Sequence, residues 1–193
     1  SSDVCSSDLV MGTPVNQYFA QQFTVTSLAT SLDINTGVSA SASVSNQNTS
    51  GGHIDIAGTT LNIAATILAN ADNGGQVTMI ATDTLQLQNA NVQTNGSNGR
   101  GGSIAISGAQ QTLLNSATIS ATGLEQGGKI LIGNDAQNGT LPFSVYTSLD
   151  ALTIINAGQI NPNSLAGGFV ETSGQTLGLL AAINAGRGGM WLL

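Results

Sequence analysis

The sequence predicts an all-β fold, a right-handed parallel β-helix with three short strands in each coil. Three observations carry that prediction. The dipeptide Gly-Gly recurs at 51, 74, 101, 127, 167 and 188, a period of 20–27 residues in all but one interval. Each pair is followed by apolar residues alternating with polar ones, the mark of a strand with one face turned inward. Charged residues make up only 7% of the chain, where about 25% is ordinary. Val, Ile, Leu, Thr, Asn and Gly stand in place of the helix formers Glu and Lys, a mixture suited to strands and tight turns.

The elements follow in order. Ser1-Ser-Asp-Val-Cys-Ser-Ser-Asp-Leu9 resembles the translated frame of a sequencing-library adapter and is set aside from the fold. With it go Cys5, the only cysteine, and two of the ten acids, which leaves a net charge of 3 − 8 = −5. Residues 10–22 read as an irregular lead-in. A weak first coil then places Phe23 and Val25, Leu32 and Ile34, and a third strand from Val38. After Gly51 come Ile54 and Ile56, Thr60-Leu61 with Ile63, and Ala65 with Ile67. The next coil repeats this as Val77 and Met79, Thr84-Leu85 with Leu87, and Ala90 with Val92. The third has Ile104 and Ile106, Thr112-Leu113, and Ala117 with Ile119. Ile130 and Ile132 open the fourth, which is about 15 residues too long for a coil of this class. The excess is placed as a loop over 134–149, carrying Pro142, Phe143 and Tyr146, with the coil resuming at Leu152-Thr-Ile154. Val170 and Thr172, Thr176-Leu177 with Leu179, and Ala181 with Ile183 make the fifth coil. Trp191 and Leu193 begin a sixth, and both ends of the chain read as cuts through a longer solenoid.

One such coil cannot bury its apolar face, whereas stacked coils pair strand on strand in parallel, about 4.8 Å apart. Ile54, Val77, Ile104 and Ile130 then form one inward column, and His53, Gln76, Ser103 and Lys129 point outward. A narrow interior filled by aliphatic side chains accounts for an aromatic content of 4%. Glycine is expected where a side chain would collide with the next coil or where a corner needs positive φ.

Gly167-Gly-Phe-Val-Glu-Thr-Ser-Gly174, then Ile183-Asn-Ala-Gly186 and Gly188-Gly-Met-Trp-Leu-Leu193, resemble filamentous-haemagglutinin-like adhesins. Within that family the strings look like the high-molecular-weight branch exported by two-partner secretion. The resemblance covers roughly residues 20–193, and the earlier Gly-Gly-x-Ile-x-Ile repeats are common to many β-helical exoproteins. It implies a non-catalytic shaft in a secreted protein of the Gram-negative cell surface. The partners implied are an outer-membrane pore during export, host-cell or matrix glycans and proteins afterwards, and flanking coils of the same polypeptide. The secretion domain of the family is not recognisable, so the segment is expected to be internal.

Read for chemistry, the residues are dispersed. Three cations, Arg100, Lys129 and Arg187, cannot form the basic surface that phosphate recognition needs, so nucleic acid is not an expected partner. No disulfide framework or thiolate chemistry is available outside the first nine residues. No apolar run reaches the roughly 20 residues of a spanning helix. His53 with Asp55 is a possible base and orienting acid, though two residues apart on one strand face is ordinary spacing. Asp33, Asp55, Asp72, Asp83, Glu125, Asp135, Asp150 and Glu171 fall in different coils. Acids from adjacent coils can still meet in space, so a carbohydrate-active β-helix with a cross-coil acidic site stands as the alternative reading. No calcium-binding nonapeptide occurs, and an incidental ion at a corner near Asp72 or Asp135 is the remaining metal reading. No cofactor or resident metal is expected. Thr24-Val-Thr26 is a single Thr-x-Thr step, too little for a flat ice-binding array. Asn48, Asn95 and Asn138 begin Asn-x-Ser/Thr triplets, glycosylation candidates that the adhesin resemblance supports. Phe143 and Tyr146 on the long loop are the candidate partner contacts. The competing reading has them folded back over an apolar flank.

Overall fold

The computed structural model describes residues 50–136 and 139–193 in full, and the strands at 22–26, 31–34 and 39–41 as backbone. The described residues form a parallel β-solenoid of about five turns, with seventeen strands and no helix. Residues 10–21 of the lead-in, Cys5, Asn48 and Asn138 lie outside the described residues, and Gln22, its last residue, opens the first strand.

Three ladders run along the solenoid. The first joins β1 (Gln22–Thr26), the leading halves of β4 (His53–Ile63) and β6 (Gln76–Gln88), then β8 (Ser103–Gly108), β11 (Lys129–Ile132), β14 (Phe169–Thr172) and β17 (Met190–Leu192). The second joins β2 (Ser31–Ile34), the trailing halves of β4 and β6, β9 (Gln111–Asn115), β12 (Tyr146–Leu149) and β15 (Thr176–Leu179). The third holds β3 (Ser39–Ser41), β5 (Thr66–Leu68), β7 (Asn91–Gln93), β10 (Thr118–Ser120), β13 (Ile154–Asn156) and β16 (Ala182–Asn184). Where a corner was expected, β4 and β6 bend continuously from the first face into the second, with a register shift between Gly58 and Thr60.

Every pairing is parallel, and the register stacks like on like. Ile54, Val77, Ile104 and Ile130 have no exposed surface, as the period-two pattern predicts. Ile56, Met79, Ile106 and Ile132 make a second column beside them. The Gly-Gly corners exist because the coils approach too closely there for any side chain. A Cβ on Gly75 would lie against Gly52 O, and one on Gly128 would press on the Ala121 methyl. At the second corner positive φ is taken instead by Asn89 and Ser116, at 52° and 53°.

Two registers differ from the sequence reading by one residue. Thr112 pairs with Leu85, not Thr84, so its hydroxyl faces inward and Leu114 continues the column of Leu87. In the fourth coil Thr153 and Ile155 are the inward residues and Ile154 is half exposed. In a strand of period two, a shift of one residue exchanges the faces. A buried threonine invites that error because its partners are corner groups of its own coil and of a neighbouring one, Gly108 and Ser144 for Thr112, Asp150 and Leu114 for Thr153.

The long fourth coil also divides differently. Tyr146 is already in the ladder, opposite Gln111 and Thr176, so the loop expected over 134–149 closes at Val145. The register leaves nine extra residues between Ile132 and Tyr146 and one after Leu149. Four more form a second excursion before Phe169, on the third corner. That excursion exposes Ile160 and Leu165. Pro162 and the asparagines around it give the turn chemistry, and the aromatic-rich first loop had absorbed all the excess in the reading of the sequence.

Candidate functional site

The Gly-Gly corners themselves build the floor of a shallow depression. Glycines 51–52, 74–75, 101–102 and 128 line a shallow groove of about 630 Å³ along the solenoid, rimmed by His53, Gln76, Ser103 and Lys129. Stacking side-chain-free corners makes such a groove unavoidable, and the Gly-Gly repeat signals it. Its backbone is already committed. Gly74 N–H donates to Arg100 O, Gly75 N–H to Ala69 O, Gly102 N–H to Thr94 O, and Ser103 N–H to Gly75 O, all within 2.9 Å.

On that rim His53 Nε2 lies 2.8 Å from Asp55 Oδ1. The neighbouring coil places Gln76 and Thr78 beside them, and Gln76 Nε2 donates to Thr78 Oγ1 at 3.4 Å. The pair is therefore held beside an amide and a hydroxyl that bond each other. A general base needs a nucleophile within reach, and among the described residues no contact of that kind is made to His53.

The acids are placed apart. Asp83 and Glu125 are exposed at different corners. Asp72 is nearly buried, and its Oδ1 accepts from Asn98 Nδ2 at 2.6 Å and Ser97 Oγ at 3.2 Å, while Oδ2 has no partner. Asp150 organises the second corner: it accepts the Ser116 N–H with both oxygens at 3.0 Å and the Thr153 hydroxyl at 2.7 Å. The Ser116 N–H, then the Thr153 hydroxyl, hold its carboxyl below the ordinary 3.8. Among the described residues no three His, Cys, Asp or Glu side chains come close enough together to hold a metal ion.

The excursion at 133–145 is the most elaborate feature. It is rooted in a buried hydroxyl cluster under the first corner. Ser107 Oγ donates to Pro142 O at 2.6 Å, Thr112 Oγ1 meets Ser144 Oγ at 2.6 Å, and Thr112 Oγ1 accepts Gly108 N–H at 2.9 Å. Leu131 and Glu171, outward by alternation, are buried where the loop crosses the first face. Ala136 N–H donates to both Glu171 oxygens, and Ser173 Oγ donates to one of them at 3.0 Å. Lys129 Nζ stands 3.8 Å from Asp135 Oδ1. The buried serines and Glu171 were invisible as a group in the sequence, since their separation spans whole coils.

Phe143 and Tyr146 sit at the end of this loop, 49% and 38% exposed. Neither is fully covered. With Val145 they leave a partly apolar edge beside Gln111 and Thr176. Asn95 has a different environment. Its Oδ1 accepts from Ser120 Oγ, Thr122 N–H and Thr122 Oγ1 at 2.7–3.0 Å, and its Nδ2 donates to Gln93. The side chain is a fastener of the third corner, and a glycan on Nδ2 would have to displace the Gln93 contact.

No protein-family model matches the chain, and no curated protein matches it by sequence. Among solved structures it is similar to the crystal structure of the HMW1 secretion domain from Haemophilus influenzae, with a TM-score of 0.58 and 21% identity. The match covers 78% of this chain and 47% of that one, so the chain spans about half the length of that domain. At this identity the likeness is one of fold.

Proposed function

We propose that the chain is a non-catalytic shaft segment of a secreted bacterial exoprotein, exported by two-partner secretion and displayed at the Gram-negative cell surface as an adhesin. The observation that carries the reading is the saturated, repetitive solenoid. Its corners and columns are spent on stacking, and its acids are dispersed instead of converging on a cleft. The fold likeness to the HMW1 secretion domain and the strings around Gly167–Gly174 and Trp191–Leu193 support the export route. In this reading the outer-membrane pore handles the chain in transit, and further coils of the polypeptide continue its ladders. Host-cell or matrix glycans or proteins meet the displayed shaft, with Phe143 and Tyr146 as the contact edge.

The test is export of the parent reading frame in a Gram-negative host, with and without its pore protein. Appearance outside the cell only with the pore is expected, and retention inside in both cases rules the reading out. The carbohydrate-active alternative predicts that the purified chain shortens acidic polysaccharides and that an acid substitution abolishes this.

A further inference from the structure

We propose that Asn98 is a site of spontaneous deamidation, and that the carboxylate formed there unfastens the third corner between two neighbouring coils. The chain has four Asn-Gly steps, beginning at 73, 95, 98 and 138, and the last begins outside the described residues. A glycine after asparagine leaves the next amide nitrogen unhindered, so that it can reach the side-chain carbonyl carbon. The three described steps share one corner but are held very differently. Asn95 is half-buried, its Oδ1 accepts three hydrogen bonds and its Nδ2 donates to Gln93. The buried Gly96 after it donates its N–H to Thr122 O at 2.8 Å. Asn73 is half-buried too; its Oδ1 accepts the Arg100 N–H at 3.1 Å, and Gly74 N–H donates to Arg100 O at 2.8 Å. Asn98 is exposed, and among the described residues its side chain makes one bond, from Nδ2 to Asp72 Oδ1 at 2.6 Å. The Gly99 N–H must leave Asp72 O, 2.8 Å away, but it does so from a solvent-facing bend over 97–99. Asp72 depends on the link that deamidation removes. Its side chain belongs to a residue only 8% exposed, its Oδ2 has no partner, and its Oδ1 otherwise keeps the Ser97 hydroxyl at 3.2 Å. A carboxylate at 98 takes away the donor and sets a like charge beside a nearly buried one.

The reaction needs only water. The Gly99 nitrogen gives its proton to solvent and attacks Asn98 Cγ. The N–Cγ bond forms, the Cγ–Nδ2 bond breaks, and Nδ2 takes a proton from solvent and leaves as ammonia. Water then opens the cyclic imide at one of its two carbonyls. The product is an aspartyl residue, or an isoaspartyl one in which the main chain runs through the former side chain. One water is consumed, one ammonia is released, and no atom is oxidised or reduced. The isoaspartyl product also lengthens the bend, whose Asn98 and Gly99 N–H groups are both fitted to Asp72 O.

This inference is independent of the export reading. The whole purified chain is incubated in mildly alkaline buffer, folded and in urea, and its peptides are fragmented to locate aspartyl and isoaspartyl products. In the folded chain, conversion at Asn98 should outrun that at Asn73 and Asn95 by about tenfold or more, and in urea the three rates should converge. Asn98→Asp, the direct product, should lower Tm by about 3–10 °C. Asn98→Ala, which loses the donor without adding charge, should lower it less. Equal conversion at the three sites in the folded chain, or none at Asn98, overturns the site. A Tm for Asn98→Asp no lower than that of wild type overturns the unfastening. Should Asn98→Asp fail to fold, aged wild type melted beside a fresh sample supplies the same comparison.

Discussion

Thr94 occupies a place in the third-corner column where the neighbouring coils have Ala69 and Ala121. It has no exposed surface, and its Oγ1 has no hydrogen-bond partner. A buried hydroxyl without a partner costs about 1–3 kcal/mol of desolvation. Thr94→Val keeps the shape and removes that penalty, so it should stabilise the chain by about 1–3 kcal/mol. The same substitution at Thr112 should do the reverse. Thr112 is equally buried, but its Oγ1 accepts the Gly108 N–H and bonds Ser144 Oγ. Thr112→Val leaves the buried Gly108 N–H without its acceptor and takes one partner from Ser144 Oγ, which keeps Gly108 O and Ser107 Oγ, and should destabilise by about 1–3 kcal/mol. Urea unfolding reads the contrast: the two midpoints should move in opposite directions with the slope unchanged. In a domain of this size about 1 kcal/mol corresponds to about 2–4 °C in Tm. Midpoints that shift the same way would refute the reasoning, because the two substitutions differ only in whether the hydroxyl is used.

Other expectations follow from the same geometry. Ile104→Asp puts a carboxylate into a dry column and should cost several kcal/mol, on the order of 4 or more, while outward Ser103→Asp should cost about 0.5 kcal/mol at most; similar losses of Tm would show the alternation to be misassigned. Asp150 is more acidic folded than unfolded, so its contribution is present above the ordinary 3.8 and is lost as pH falls below it. The Tm advantage of wild type over Asp150→Asn should therefore be constant near neutrality and shrink below that value, and a pH-independent gap would contradict the assignment. Leu179, Ala181 and Ile183 in the last full coil are only partly covered, and the edges of β15 and β16 are unpaired. The isolated chain should then associate as concentration rises, and monomeric sedimentation throughout would count against it.

The fold was legible because its signal is local and repeated. Ile54-x-Ile56, Val77-x-Met79 and Ile104-x-Ile106 state both the strand and its inward face, and the Gly-Gly pairs set the coil length. Legibility failed where an inward position is filled by threonine. Thr112 satisfies its hydroxyl on Gly108 of its own coil and Ser144 of the next, and Thr153 on Leu114 of the preceding coil and Asp150 of its own. A pattern of hydrophobicity cannot register those partners, so the neighbouring Leu113 and Ile154 were taken for the core. The coil excess was detected, but its division between two corners depends on pairing across coils. The candidate site was less legible still. Phe143 and Tyr146 stood out as aromatics, whereas Glu171 under the loop and the serines at its root are assembled from residues some 35 apart.

Export and display of the shaft are the central claim, and labelling of intact cells tests them most directly. Single cysteines at exposed Ser97 and Leu152, placed in the parent reading frame after removal of Cys5, would report on two turns of the solenoid. A membrane-impermeant maleimide should label both on intact cells carrying the pore protein, without lysis. Labelling that appears only after the outer membrane is broken would contradict the account.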